Sequence, residues 1–146
     1  MKAIIWDFNS TLYNPLSQKL YKDAKEILER ASQKYKQALI TSAITKAKER
    51  NILIKKVGIQ NFFDHIDINI KTKKVFLHVC EKFECKPTEV YVIGDSYLKE
   101  ISVGNKLGMK TIWFNPKPIN KIKSKLLRIK FYKKISNLKK LDSIIF

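Results

Sequence analysis

Acidic residues are scarce in this chain: 13 aspartates and glutamates stand against 30 lysines and arginines over 146 residues, a formal net charge of +17 at pH 7. Glycine and proline number only 4 each, which argues against collagen-like and low-complexity classes. No apolar run nears the roughly 18 residues that span a bilayer. The opening Met1-Lys2-Ala3-Ile4-Ile5-Trp6-Asp7 reaches a carboxylate too soon for a secretory signal, so a cytoplasmic protein is expected. The 2 cysteines, Cys80 and Cys85, fall in a predicted helix at a spacing that shares no helical face. Neither a disulfide framework nor a thiolate metal site fits them, and reduced thiols are expected. His65 and His78 read as packing or surface residues rather than ligands.

Hydrophobic residues supply 45% of the chain, enough for one full core, and no linker or repeat divides it. A single domain over residues 1–146 follows. The positive excess predicts attraction to polyanions, nucleic acid among them, or a substrate carrying several phosphates. A lysine-rich proteome or thermophilic ion pairing is the plainer account, because the lysines are spread along the chain. The densest stretch, Lys117 to Lys140, holds ten basic residues and no acidic one.

Short apolar runs alternate with helical periodicity. Ala3–Trp6 reads as a buried strand ending at Asp7, followed by turn chemistry at Asn9-Ser10-Thr11. Leu20, Ala24, Ile27, Leu28 and Ala31 predict a helix over Ser17–Tyr35 with Ser17 as its N-cap. A strand over Ala38–Ile40 ends at Thr41-Ser42, and a helix over Ile44–Val57 stops at Gly58. Ile66–Ile70 predicts a strand, Thr72–Phe83 a helix, and Val90–Ile93 a strand ending at Gly94-Asp95. A helix over Tyr97–Leu107, closed by Gly108, leads to a strand over Lys110–Phe114. The tail predicts a basic turn or helix near 119–129, a strand near Phe131–Ile135 and a helix from Asn137. This order implies an α/β fold: a doubly wound, mostly parallel sheet with helices on both faces. Such sheets bind ligands beyond the carboxyl ends of their strands.

Three strands end there in polar residues, Asp7, Thr41 and Asp95, and Lys71 follows a fourth. Two carboxylates favour a hard divalent cation such as Mg²⁺. A cation and an ammonium together would neutralise a phosphoryl group. Four motifs in chain order carry a resemblance. They are Ile4-Ile5-Trp6-Asp7-Phe8-Asn9-Ser10-Thr11, Leu39-Ile40-Thr41-Ser42, Lys71 ahead of Val75-Phe76, and Val92-Ile93-Gly94-Asp95-Ser96 with Glu100. Over residues 3–115 the chain resembles the haloacid dehalogenase superfamily of phosphatases and related hydrolases. The resemblance implies that Asp7 is the nucleophile, forming an aspartyl-phosphate. It implies that Asp7, Asp95 and the Asn9 carbonyl hold Mg²⁺. Thr41, Ser42, Lys71 and the amides of Phe8 and Asn9 would bind the phosphoryl group. Glu100, with Ser96, would orient Lys71 or a metal-bound water.

Two departures from the family pattern bear on function. Asn9 stands where family phosphatases carry the Asp that protonates the leaving alcohol, and an amide cannot cycle a proton at neutral pH. Metal binding through its carbonyl survives the change, whereas esters with poor leaving groups should react slowly. Acyl and aryl phosphates suffer less. Segments 10–37 and 43–70 also leave no room for a cap domain, so an open site and a macromolecular substrate, or a lid from a neighbouring subunit, are expected. A catalytically weak protein binding phosphate or nucleic acid is the competing class, and an enzyme on nucleic-acid end phosphates a third.

Overall fold

The computed structural model describes residues 1–116 and 130–146. The basic turn or helix expected near 119–129 lies outside the described residues.

Six parallel strands form the sheet: β1 (Ala3–Trp6), β4 (Lys36–Thr41), β5 (His65–Ile68), β6 (Val90–Gly94), β7 (Lys110–Phe114) and β8 (Lys133–Ile135). Their spatial order is β5-β4-β1-β6-β7-β8. The chain builds outward from β1 through β4 and β5, then returns to β6 on the other flank. The strand order therefore reverses between β1 and β6, the place where open α/β sheets form a crevice. Asp7 and Asp95 are the residues that leave those two strands.

Every side chain of β1 and of β6 is buried, as strands covered on both faces require. Ile4, Trp6, Leu39 and Ile93 pack on one face against Ile27, Leu28 and Ala31 of helix α1 (Ala24–Ser32) and Ile54 of α2 (Ala47–Lys56). Leu138, Leu141 and Ile145 from the C-terminal turns close that face. Ile5, Ala38, Ile40 and Val92 pack on the other face against Phe76, Val79 and Cys80 of α3 (Lys73–Lys82). Helix α4 (Ser102–Lys106) adds Val103 there. The doubly wound architecture is the one the alternating pattern implies. No cap domain interrupts it among the described residues.

The largest correction concerns residues 13–23. The helix expected from Ser17 starts only at Ala24, and a small antiparallel hairpin, β2 (Tyr13–Asn14) with β3 (Lys19–Leu20), precedes it. The Asn14 side chain accepts from the amides of Leu16 (3.0 Å) and Ser17 (3.4 Å), folding the chain around Pro15. That local turn captures Ser17 before it can cap a helix. Tyr21 then donates from its amide to the Leu12 carbonyl at 2.9 Å, anchoring the hairpin to the β1 loop. Asp23, at φ 68°, precedes α1 without a side-chain cap.

Three smaller differences follow. The helix expected from Ile44 opens as a 3₁₀ turn, Ile44–Lys46, before α2. Cys85, expected on a helix, lies beyond the end of α3. A turn with Glu84 at φ 49° brings the Cys85 amide back to the Cys80 carbonyl at 3.0 Å. Both thiols are free, and burial pushes Cys80 up to about 12. The helix expected over Tyr97–Leu107 begins as a π-helical turn, Tyr97–Ile101.

One buried polar residue ties the layers together. Gln37 in β4 is wholly buried and receives the Trp6 indole hydrogen at 2.8 Å. Its own amide donates to the Leu28 and Phe62 carbonyls, each at 2.9 Å. Both of its donors and its acceptor are thus satisfied, the condition under which a buried amide is tolerated. Gln37→Leu strands three polar groups in the core. It should lower the unfolding free energy by about 3 kcal/mol, read from urea denaturation.

Candidate active site

The carboxyl ends of β1, β4 and β6 surround an open crevice of about 310 Å³, into which Asp7, Asn9, Thr41, Ser42, Lys71 and Asp95 all face. Of the residues singled out in the sequence, Ser96 and Glu100 also line it, and Phe8 alone does not. The Phe8 side chain is fully buried and stacks on Tyr13 at 5.1 Å, so only its backbone can reach a ligand. Its carbonyl accepts from the amides of Thr11 (3.3 Å), Leu12 (3.0 Å) and Tyr13 (2.9 Å), winding the chain tightly after Asp7. Ser10, at φ 60°, donates its amide to the Tyr13 carbonyl at 2.7 Å and completes the loop.

The Lys71 ammonium donates to both the Asp7 and the Glu100 carboxylates, and all three side chains are at most 5% exposed. Burial alone would lower the Lys71 pKa; Asp7 and Glu100 outweigh it and raise it. Glu100 reaches inward because of two local features. The π-helical turn sends the amides of both Glu100 (3.1 Å) and Ile101 (3.3 Å) to the Ser96 carbonyl, widening the first turn of the helix. Gly94 leaves the space: a Cβ there would lie 2.6 Å from Glu100 Cγ and 2.9 Å from Glu100 Oε2. Glu100 Oε2 in turn accepts from the Ser96 amide at 2.9 Å.

Negative charge exceeds positive on this side. Carboxylate oxygens of Asp7, Asp95 and Glu100 lie within 4.8 Å of one another, the one such carboxylate, His or Cys cluster among the described residues. His65 and His78 take no part; they pack against each other at 5.8 Å. Burial first, and then Asp7 and Glu100, push Asp95 up to about 7, with Lys71 opposing. The same crowding, led by burial, raises Glu100. Three clustered oxygen donors with unbalanced charge suit a hard divalent cation, which would supply the missing positive charge. Thr11, unassigned a role from the sequence, donates its hydroxyl to Asp7 at 3.0 Å and approaches Asp95 at 3.5 Å.

The opposite wall is cationic, and sequence reasoning missed its main residue. Arg50 of α2 donates to the Thr41 hydroxyl at 2.5 Å, and its guanidinium lies 5.1 Å from the Phe8 ring centroid. Burial pulls the Arg50 pKa down while Asp7 and Tyr13 hold it up. One signal was present: Arg50 precedes buried Ile54 by four residues, so both share the face of α2 that meets the sheet. With the Arg50 hydrogen on its oxygen, the Thr41 hydroxyl keeps its own hydrogen to give. Lys99 completes the rim.

The match to known proteins follows this geometry. The sequence model of the haloacid dehalogenase-like hydrolases matches residues 2–114. A curated relative, the glyceraldehyde 3-phosphate phosphatase of Pyrococcus furiosus, is 28% identical over 96 residues, 62% of this chain. The chain spans only 39% of that relative's length. The crystal structure of a HAD phosphatase from Thermococcus onnurineus superposes with a TM-score of 0.81 at 18% identity, covering 99% of this chain and 98% of that one. The Bacillus subtilis protein YfnB, bound to magnesium, superposes with a TM-score of 0.72 at 22% identity over 86% of this chain and 56% of its own. At these identities the two structures speak to the fold.

The ion pairs make a direct prediction. Lys71→Met leaves two buried carboxylates facing each other without a counter-charge. Unfolding in urea at neutral pH should show a loss of about 3 kcal/mol.

Proposed function

Because the chain belongs to the haloacid dehalogenase-like hydrolases, we propose that it is a Mg²⁺-dependent phosphatase whose nucleophile is Asp7. The observation that carries this reading is one crevice with opposed walls. Carboxylates of Asp7, Asp95 and Glu100 gather on one side, and the Arg50–Thr41 pair stands on the other. A phosphoryl group in this crevice meets a nucleophile at phosphorus and hydrogen-bond donors at its non-transferring oxygens.

Each residue has a task that its position supports. Lys71 and Thr11 hold the Asp7 carboxylate by one oxygen each, which fixes its direction of attack. Thr41, Ser42 and Arg50 bind the non-transferring oxygens, and Arg50 adds a guanidinium suited to them. Amides of the loop after Asp7 add neutral donors. Asp7, Asp95 and the Asn9 carbonyl would hold Mg²⁺, which when bound neutralises charge on the phosphoryl oxygens. Glu100 and Ser96 keep Lys71 in place. Asp7 attacks phosphorus in line and the leaving oxygen departs; water then cleaves the aspartyl-phosphate and restores the carboxylate.

Asn9 limits the rate. Its amide can accept or donate a hydrogen bond but cannot hand a proton to a departing alkoxide. General acid–base assistance contributes about 10²- to 10⁴-fold where it operates.

Two measurements test the reading. Acetyl phosphate should be hydrolysed with Mg²⁺ and not after its chelation, and Asp7→Asn should abolish turnover; full activity in Asp7→Asn would remove Asp7 from the chemistry. Asn9→Asp should raise kcat on an alkyl phosphate by about 10²-fold or more. No gain would mean that the surrounding groups do not form the expected machinery.

A further inference from the structure

Next to the phosphoryl crevice, and sharing Ser10 and Asp95 with it, lies a second cleft of about 240 Å³. Its walls come from the hairpin that replaced the expected helix (Pro15, Leu16 and nearby Tyr21) and from the end of β7 (Trp113, Asn115). We propose that this cleft receives the leaving group, and that the leaving group is an aromatic ring bearing a hydrogen-bond acceptor. The substrate class is then an aryl phosphate monoester. The inference rests on the phosphatase reading and gives it a substrate.

Four observations converge. The cleft adjoins the crevice through Ser10 and Asp95, so a group bonded to a phosphoryl oxygen has the cleft within reach. Its lining is mainly apolar and aromatic, and cavities of about 150 Å³ with apolar walls already accept one benzene ring. The Trp113 ring is held by three contacts. Its indole donates to the Asp95 carbonyl at 2.8 Å, Phe131 packs on it at 5.7 Å, and the Lys134 ammonium sits 4.7 Å from its ring centroid. Asn115 is 6% exposed, and its side-chain NH₂ has no hydrogen-bond partner among the described residues. A buried unpartnered donor is unfavourable, and an acceptor on the ring relieves it.

Asn9 agrees with this from the chemical side. A phenol, with a pKa near 10 as in tyrosine, leaves as its anion without the proton an alkoxide requires. In the first step the Asp7 Oδ–P bond forms as the P–O bond to the ring breaks, and the electron pair departs with the phenolate. The phenolate takes a proton from solvent. Water then forms the new O–P bond, releases a proton to solvent, and frees Asp7 and inorganic phosphate. One water is consumed for each phenol and phosphate produced.

Acetyl phosphate is the control, since it also needs no acid yet has no ring to fill the cleft. The readout is the ratio of kcat/KM for phenyl phosphate over acetyl phosphate. Trp113→Leu should lower that ratio about tenfold or more, the worth of one buried ring. Leu16→Asp should lower it several-fold; Leu16 is 81% exposed, so the fold is not at stake if Trp113→Leu fails to fold. A ratio unchanged in the folded variants overturns the proposal, as does hydrolysis of acetyl phosphate with none of phenyl phosphate. Turnover of neither compound by the unaltered chain overturns the phosphatase reading instead. Asn115→Leu should erase selectivity for an acceptor-bearing ring over a plain ring of matched leaving-group pKa. Retained selectivity removes Asn115 from recognition.

Discussion

The Lys71 ammonium, held between Asp7 and Glu100 where the strand order reverses, is the contact on which the rest of the site depends. Three elements supply its members: the end of β1, the segment before α3, and the turn before α4. Each carboxylate is nearly inaccessible to water, so each requires a counter-charge or a proton. One ammonium between two carboxylates, with Asp95 close by, leaves the cluster short of positive charge. Burial first, and then the neighbouring Asp7 and Glu100 charges, push Asp95 up to about 7.

The backbone is shaped around this requirement. Gly94 leaves room for the Glu100 stem, and the π-helical turn aims its carboxylate inward. The tight loop through Phe8 and Ser10 ends the first strand so that Asp7 points into the crevice while Phe8 returns to the core. Arg50, paired with Thr41 at the end of β4, lines the same crevice. The charge arrangement is therefore asymmetric: the carboxylates of Asp7, Asp95 and Glu100 cluster together, and the Arg50 guanidinium pairs with Thr41.

Much of this was legible in the chain. Strand-terminal Asp7, Thr41 and Asp95, and Lys71 just after a further run, sit where apolar runs stop, and a buried strand exposes its chemistry only at its end; Glu100 was legible only through the family resemblance. What escaped lies at longer range. Thr11 and Arg50 reach the site through side-chain directions that no spacing encodes uniquely. Gln37 falls between the expected helix and strand, yet it is the hub of a buried network whose partners Trp6, Leu28 and Phe62 come from three separate segments. The helix over Ser17–Tyr35 was misread at its start: Leu20 fits helical spacing, but the Asn14 turn around Pro15 outcompetes a helix there.

The sequence by itself determined the order of the sheet strands and of the helices between them, the parallel sheet and the identity of the residues at strand ends. Those follow from local periodicity and from the burial that parallel strands demand. Tertiary structure alone decided which charged side chains meet, that Arg50 lines the same crevice as Asp7 and Asp95, and that a hairpin and Trp113 line a largely apolar cleft beside it. The reason is physical: charge coupling and cavity shape depend on distances between segments far apart in the chain, and local pattern does not specify those distances.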